Sequence, residues 1–407
     1  MAKHSLKTVA FSVMAGLVLT CGTAVAGPQM TFGPNDEGML QLDYKGQFQL
    51  GVRDSGSGPN KDDTTMDFNF RRNRLALMGR YGDMMSLYVQ TEFLESQNIG
   101  TFNVPDSKND AGFSILDAAM RFEINDSFNV YLGKLKYNLS RENLEACEAP
   151  LTLDRSLFIR APYVGTRDNG VAVWGNFFNG LLQYRADVME GRSATTAAAP
   201  APESNFRYSF RGHVSVLDPE NKYGYKGTYL GKKKVLTVGG AYQFEQKVAY
   251  ADTVAKSGAK DYKAWTVDGF FEYPLEGIGT VTLSGAYEDI DLGDAYKGAN
   301  PDPDTVGLNG QKNGYYVKGA YMLPMLPLQF FGRYEKWRFA ALNTSTTNDA
   351  TQNIFDQGVD WYGGGLNYYF RDQNLKLTME VSKTTFDKKN ATTKDFTTFI
   401  TQMQLIF

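Results

Sequence analysis

The sequence predicts an all-β protein, a transmembrane antiparallel β-barrel of about sixteen strands, and three observations carry that prediction. Apolar and polar residues alternate with period two along most of the 407 residues, as in "QLDYKGQFQLGVR" at 41–53. Most alternating segments run for ten to thirteen residues, whereas a tilted strand needs ~9–11 residues to cross a bilayer and ordinary strands average ~5–6. The connections between segments are alternately short and long, which is typical of the two ends of a membrane barrel.

An N-terminal leader precedes the strands. Lys3 and Lys7 form a basic start, residues 8–20 are mostly apolar, and small residues end the stretch at Ala24 and Ala26. This pattern predicts a secretory signal peptide, residues 1–26, that is cleaved after Ala26. The apolar stretch is shorter than the ~20 residues of a membrane helix. We therefore expect residues 27–407 to form a single barrel domain.

Sixteen predicted strands follow one another along the chain. They lie near 41–53, 66–81, 84–95, 114–124, 128–137, 168–177, 181–190, 205–217, 235–246, 262–273, 279–290, 313–323, 327–337, 358–370, 374–385 and 397–407. One face of each strand is apolar and the other polar. A soluble sandwich would have to cover all these apolar faces with a second sheet, so an apolar outer surface in lipid is the favoured interpretation.

The connections fall into two groups. After even-numbered strands they are mostly tight, as in "GD" at 82–83 and "RDQ" at 371–373. After odd-numbered strands they are long, for example 54–65, 138–167 and 247–261. Short periplasmic turns and long extracellular loops are the corresponding expectation. The stretch 218–234 is long where a short turn is due, and a strand pair there would raise the count to eighteen.

The composition excludes several classes of function. A mean hydropathy of −0.37 argues against a helical membrane protein, and a net charge of −3, or −5 once Lys3 and Lys7 are removed, gives no sign of nucleic-acid binding. The mature chain keeps one cysteine, Cys147, and one histidine, His213. The sequence therefore predicts no disulfide, no metal site and no cofactor.

Several motifs resemble one known family. They are "FNFRRNRLALMGRYGDMMSLYVQTEF", "NVYLGKLKYNLSRENL", "RSLFIRAP…TRDNGVAVWG" and "DPENKYGYKGTYLGKKKVLTVGGAYQF". The chain resembles the phosphate-selective porin O/P family over roughly residues 38–407. The resemblance implies a homotrimer of sixteen-stranded barrels in the outer membrane of a Gram-negative bacterium, and it supports a turn rather than extra strands at 218–234.

The longest connection, 138–167, is the candidate constriction loop. The resemblance implies that this loop folds into the barrel lumen. Its composition agrees, because leucines such as Leu139, Leu144, Leu151 and Leu153 need a packing partner. Ser140 is a candidate N-cap for a short helix at 141–148.

Cations on the inward faces and in this loop are the candidate pore-lining residues, because rows of arginine attract anions and bind them in bidentate fashion. They are Arg72, Arg74, Arg80, Lys134, Arg141, Arg155, Arg160, Arg185, Arg207, Arg211, Lys318 and Arg333. A β-bulge is expected at Arg71–Arg72, where the apolar parity changes, and it would turn one arginine aside. A second slip near Gly133 would bring Lys134 inward. Inward acids such as Glu92, Asp268 and Glu335 predict a mixed lumen.

The functional prediction is a passive diffusion channel for small hydrophilic solutes, with anions, including phosphate-like ones, as the favoured class. The first alternative is a scaffold barrel that sheathes a partner such as an electron-transfer protein, which would need an open lumen. The second is a barrel enzyme, which His213 alone, without a G-x-S-x-G motif, does not support.

The chain ends inside a strand, "FITQMQLIF" at 399–407. We expect this strand to pair with 41–53 so that no edge remains in lipid. The terminal Phe407 resembles the signal that the outer-membrane assembly machinery reads. Membrane lipids and that machinery are therefore expected partners, beside a second and third copy of the chain.

Overall fold

A computed structural model describes residues 27–60, 62–94, 112–156, 164–192, 201–252, 255–293, 312–339, 357–389 and 394–407. The leader at 1–26 and Arg160 lie outside these residues. The described residues form a seventeen-stranded antiparallel sheet. Its strands are β1 (Gln29–Phe32), β2 (Gly38–Ser57), β3 (Asp63–Tyr81), β4 (Met85–Leu94), β5 (Gly112–Asn125), β6 (Phe128–Leu135), β7 (Asp168–Phe177), β8 (Leu182–Met189), β9 (Arg207–Ser215), β10 (Val235–Asp252), β11 (Ser257–Leu275), β12 (Gly279–Asp291), β13 (Lys312–Met322), β14 (Leu328–Phe339), β15 (Gln357–Arg371), β16 (Leu375–Phe386) and β17 (Phe396–Ile406).

Strands β2–β17 form the closed wall. Each pairs with the next, and the last pairs with the first, so that Thr398 lies opposite Arg53 and Gln402 opposite Gln49. The prediction of sixteen barrel strands, closed by pairing of the last with the first, is confirmed. Short β1 pairs with residues 38–41 of β2, and β17 pairs with residues 45–53 of the same strand. The two strands therefore lie one after the other along the same edge of β2.

The two faces of the wall differ as the alternation predicts. Outward side chains are apolar and exposed, with Phe68 at 67%, Val317 at 54% and Val238 at 53%. Inward side chains are polar and buried, as Gln402 and Gln404 are. At the closing seam these glutamines pair across the strands, with Gln402–Gln49 at 2.8 Å and Gln404–Gln47 at 2.6 Å.

Two of the predicted long loops are largely strand. The ladder of β2 and β3 continues to Ser57 and Asp63, and that of β10 and β11 continues to Asp252 and Ser257. Period-two alternation is lost at 54–57 because both faces are polar, and it is lost in β10 because the register shifts between Glu245 and Ala249. The backbone pairing that defines a strand does not depend on side chains. Among the described residues, no helix is both long and apolar enough to cross a membrane.

We predict that deleting Phe407 lowers the yield of folded barrel several-fold. The Phe407 carbonyl accepts a bond from the Tyr44 N–H at 2.7 Å, its N–H donates to the Tyr44 carbonyl at 3.1 Å, and the two rings lie 5.5 Å apart. Each such backbone bond contributes about 0.5–1.5 kcal/mol, and both lie at the seam that closes the barrel. The heat-modifiable band in outer-membrane fractions measures the yield, and Phe407→Tyr, which keeps the ring and the backbone, is the control. Unchanged yield in the deletion would contradict the prediction.

Candidate functional site

Residues 136–156, which we name the waist segment, lie inside the barrel and contact strands on its far side. The Leu153 N–H donates to Glu380 of β16 at 3.2 Å, Thr266 of β11 donates to the Leu139 carbonyl at 2.9 Å, and Asn367 of β15 donates to the Leu151 carbonyl at 3.0 Å. These strands lie across the barrel from β6, where the segment begins. The waist segment therefore crosses the interior.

Local sequence explains how the waist segment folds. The Ser140 hydroxyl accepts the Asn143 N–H at 3.1 Å and caps a helix at Arg141–Leu144. The helix is shorter than the predicted 141–148, because the backbone turns extended at Glu145 and pairs with another segment instead. Leu139, Leu144 and Leu151 are buried, so the interior of the barrel supplies the apolar contact that these leucines need.

A second segment enters the barrel from the opposite end. Residues 216–234, which we name the turn segment, connect β9 to β10 and hold no strand of their own. They meet the waist segment through two backbone bonds, from the Ala146 N–H to the Tyr225 carbonyl at 2.9 Å and from the Gly227 N–H to the Ala149 carbonyl at 2.8 Å. The interpretation of 218–234 as a turn without extra strands agrees with the structure. The turn lies inside the barrel.

A buried ion pair joins the two segments. The Arg141 guanidinium donates to both carboxylate oxygens of Glu220, at 2.6 and 2.7 Å, and both side chains are excluded from solvent. Arg141 also lies over the rings of Tyr225 at 4.5 Å and Phe270 at 4.0 Å. Burial opposes ionisation of the Glu220 carboxyl, but Arg141 outweighs it and holds the pKa below its ordinary value. The pair therefore stays charged at neutral pH.

Arg71 and Arg72 converge on one carboxylate of the waist segment. Arg71 donates to Asp154 at 2.8 Å through Nε, and Arg72 donates to the other oxygen of Asp154 at 2.8 Å. The predicted β-bulge is present, because the register shifts between Arg72, opposite Gln47, and Phe70, opposite Phe48. The expectation that the bulge turns one arginine aside is wrong. The extra residue brings both side chains to the same side of the strand.

Five further predicted cations each have a carboxylate partner inside the barrel. The pairs are Arg74–Glu92 at 2.9 Å, Arg207–Glu245 at 2.7 Å, Arg211–Asp268 at 2.6 Å, Lys318–Glu142 at 2.5 Å and Arg333–Glu335. Within each pair, the positive and the negative charge largely cancel for a solute that is some distance away. The lumen is mixed, and a preference for one sign of solute has to come from charges that lack such a partner.

Two predicted pore residues lie away from the waist segment. Arg80 lies at the end of β3 beside the tight turn, where it is half exposed and donates to Asp83 at 2.8 Å. Lys134 points outward near the long-loop end. It lies opposite Ala118 and Asn169 with no shift at Gly133, so the slip needed to bring Lys134 inward does not occur.

Some cations have no carboxylate within ion-pair distance in the described part of the chain. Arg155 donates instead to the carbonyls of Glu142 and Asn143, at 3.1 and 3.2 Å, and Arg185 donates to Gln183 at 2.7 Å. Arg121 and Lys136 belong to the same group and were not predicted. The parity that Arg121 shares with Asp117 and Glu123 could have identified it, whereas Lys136 lies past the end of β6 and has no such signal.

Cys147 lies among cations in the waist segment. Its sulfur is 3.9 Å from the Lys136 ammonium. Burial alone would raise the pKa of this thiol, but Arg155 and then Lys136 outweigh it and hold the pKa well below its ordinary value. Burial raises the pKa of the neighbouring Glu145 carboxyl to about 8, and the charge of Glu142 adds to the rise. The interpretation of Cys147 as a small apolar residue needs correction, since its environment is strongly cationic.

His213 supports the turn segment. Its Nδ1 lies 2.7 Å from the Tyr225 hydroxyl, which also accepts a bond from Arg211 at 3.3 Å. Within the described ranges, no cluster of three or more His, Cys, Asp or Glu side chains could hold a metal ion. His213 therefore contributes a contact between the wall and the turn segment.

Comparison with known proteins gives one family and a common fold. Residues 42–210 match the family model described as phosphate-selective porin O and P. No curated protein sequence matches the chain. Over more than nine-tenths of the chain, the fold is similar to those of several solved outer-membrane proteins at low sequence identity.

Three solved structures illustrate the likeness. An anion-selective porin from Comamonas acidovorans aligns with a TM-score of 0.55 at 12% identity, covering 91% of this chain and 100% of its own. The outer membrane channel DcaP of Acinetobacter baumannii aligns at 0.53 with 13% identity, covering 94% and 100%. OmpF of Salmonella typhi, in complex with daunomycin, aligns at 0.57 with 11% identity, covering 93% and 100%. At these identities the likeness establishes the barrel fold.

Proposed function

We propose that the protein is a passive outer-membrane diffusion channel for small hydrophilic solutes that prefers anions, and the match of residues 42–210 to the family described as phosphate-selective porin O and P supports this. The waist segment carries this proposal. It narrows the interior with charged side chains at fixed positions, which is how a water-filled pore selects solutes. The channel performs no bond chemistry, and the preference for anions comes from cations such as Arg121 and Arg155 that lack a carboxylate partner.

The barrel surface suits the remaining partners of this proposal. A band of exposed apolar side chains, including Phe68, Val238 and Val317, covers the outward face, as contact with membrane lipids requires. A homotrimer of such barrels, inserted by the outer-membrane assembly machinery, is the proposed form.

The scaffold alternative fits the described interior less well. A barrel that sheathes a partner protein needs an open lumen, whereas the waist and turn segments meet near the centre, where Tyr225 and Arg141 are buried. Their contact leaves the channel as the better-supported function.

We expect the purified protein to produce discrete conductance steps in planar bilayers. Under a potassium chloride gradient the reversal potential should have the sign of an anion-preferring pore, because the waist holds cations without acid partners. Detergent buffer without protein is the control. A reversal potential of the cation sign would exclude the anion preference, and absence of steps from folded protein would exclude the channel and favour the scaffold.

A further inference from the structure

Four tyrosine rings and two guanidinium groups form a continuous row along the inward face between β4 and β8, with each guanidinium between two rings. We name this the Tyr–Arg row, and its members in spatial order are Tyr88, Arg121, Tyr131, Tyr223, Arg185 and Tyr225. The Arg121 guanidinium carbon lies 4.7 and 5.1 Å from its two ring centroids, and that of Arg185 lies 4.8 and 4.6 Å from its two. The Tyr131 and Tyr223 ring centroids between them are 4.9 Å apart. The row links four wall strands, β4, β5, β6 and β8, to the turn segment.

The strand ladder explains how Arg121 comes to lie between two rings. Arg121 of β5 is directly opposite Tyr131 of β6, and on its other side it is opposite Ser86 of β4, two residues before Tyr88. Tyr rings therefore flank the guanidinium on both sides. The attraction between a cation and an aromatic ring holds the group without using any of its N–H donors.

The donors of Arg121 remain without protein acceptors in the described part of the chain. No carboxylate lies within ion-pair distance of it, and its buried Nε has no hydrogen-bond partner. The nearest acid on its own strand, Glu123, instead accepts the Tyr131 hydroxyl at 3.0 Å. A planar guanidinium with a free edge presents two parallel N–H groups, which match the oxygens of a carboxylate or phosphate.

Solvent access distinguishes the two arginines of the row. Arg185 is 2% exposed. Its Nε donates to Gln183 and its Nη2 donates to the Lys222 carbonyl, whereas its Nη1 is buried without a partner among the described residues. Arg121 and Tyr88 are only half buried, and Arg121 lies four residues from the end of β5 at the short-turn side. A dissolved ion can therefore reach Arg121, whereas Arg185 supports the row from the interior.

We propose that the free edge of Arg121, held between Tyr88 and Tyr131, is an oxyanion-binding subsite on the short-turn side of the waist. It takes a carboxylate or phosphate group of a passing solute. The subsite is separate from the Arg71–Arg72 pair, whose guanidinium groups already share Asp154. This inference rests on the proposed channel function and assigns one of its solute contacts.

Block of chloride current by added oxyanions tests the subsite. In planar bilayers with wild-type protein, inorganic phosphate and acetate are each added to both sides over a concentration series. We expect the current to fall with concentration, and the half-inhibiting concentration to rise about ten-fold in Arg121→Gln, which corresponds to about 1.4 kcal/mol. Arg121→Lys keeps the charge but loses the paired donors. Its half-inhibiting concentration should therefore lie between those of the wild type and Arg121→Gln.

Lys247→Gln is the matched control, because it removes the same charge from an exposed pair with Glu203 near the long-loop end of β10. Recovery of the heat-modifiable folded form establishes that each variant has folded. A higher half-inhibiting concentration in Arg121→Gln for phosphate alone, for acetate alone or for both supports the subsite. Which of the two anions shows the increase assigns the solute class.

Two results would overturn the subsite. One is unchanged inhibition in Arg121→Gln, and the other is a wild-type current that neither oxyanion reduces. In both cases an anion-preferring wild-type current would leave the proposed channel standing. Wild-type protein that does not conduct would instead refute the channel itself.

Discussion

An Asp154→Asn variant should favour anions over cations about five-fold more strongly than the unchanged chain. Asp154 is the carboxylate on which Arg71 and Arg72 converge, at 2.7 and 2.8 Å, and about a fifth of its side chain is exposed. Replacing it leaves two guanidinium groups without that counter-charge beside the path of the solute. A unit charge ~5 Å from an ion in water contributes about 1 kcal/mol, which is roughly five-fold in an equilibrium constant.

The carboxylate is ionised at neutral pH, so the variant does change the charge. Burial opposes ionisation of Asp154, yet Arg71 and then Arg72 hold the pKa of its carboxyl well below the ordinary value. The reversal potential under a salt gradient measures the change in selectivity. Asp83→Asn removes the same charge from a turn where the side chain is 98% exposed, and Asp154→Glu keeps the charge at the waist. Equal reversal potentials in Asp154→Asn and the unchanged protein would refute the role of this carboxylate.

A Glu220→Gln variant should loosen the contact between the waist and turn segments. It leaves the Arg141 guanidinium buried without its carboxylate, and breaking a buried pair in this way costs about 3–5 kcal/mol. We expect the folded form to convert to the unfolded form at a lower temperature in heat-modifiability gels. Single channels should show larger or noisier currents, because the turn segment is no longer held against the waist segment.

Two comparisons separate the lost pair from a general effect of charge. Asp372→Asn removes one partner of the exposed Lys232–Asp372 pair and should leave the transition unchanged, since surface pairs contribute about 0–1 kcal/mol. The double variant Arg141→Met with Glu220→Met removes both buried charges and should recover most of the stability. A transition temperature and currents in Glu220→Gln that equal those of the unchanged protein would show that the pair does not hold the segments together.

Much of the wall could be predicted because its signal is local. Period-two alternation identifies a strand and its outward face from a few consecutive residues, as the seam shows where Gln402 lies opposite Gln49. The signal fails where both faces are polar, as at the end of β2, and where the register shifts, as between Glu245 and Ala249 of β10, so both strand ends were predicted as loops. It also fails for β1, whose four residues are too few for a pattern.

The interior was less predictable, because its contacts join distant parts of the chain. Ser140 and its helix follow from local capping rules, and the bulge at Arg71–Arg72 follows from a change of parity. The entry of the turn segment into the barrel has no local signal. Tyr225 and Ala146 pair only because two segments from opposite ends of the barrel meet inside it.

The sequence by itself determined the strand order and the two faces of the wall, because each depends on residues close together in the chain. It also determined the pairing of the last strand with the first, because an unpaired strand edge is unfavourable in lipid. Only the tertiary structure decided which cations keep an unshared charge. Arg71 and Asp154 are 83 residues apart, and Arg141 and Glu220 are 79 apart, so no local pattern reveals that these cations are paired. Arg121 follows the same rule, because its two flanking rings and the absence of a carboxylate partner within the described residues depend on how neighbouring strands and the turn segment pack together.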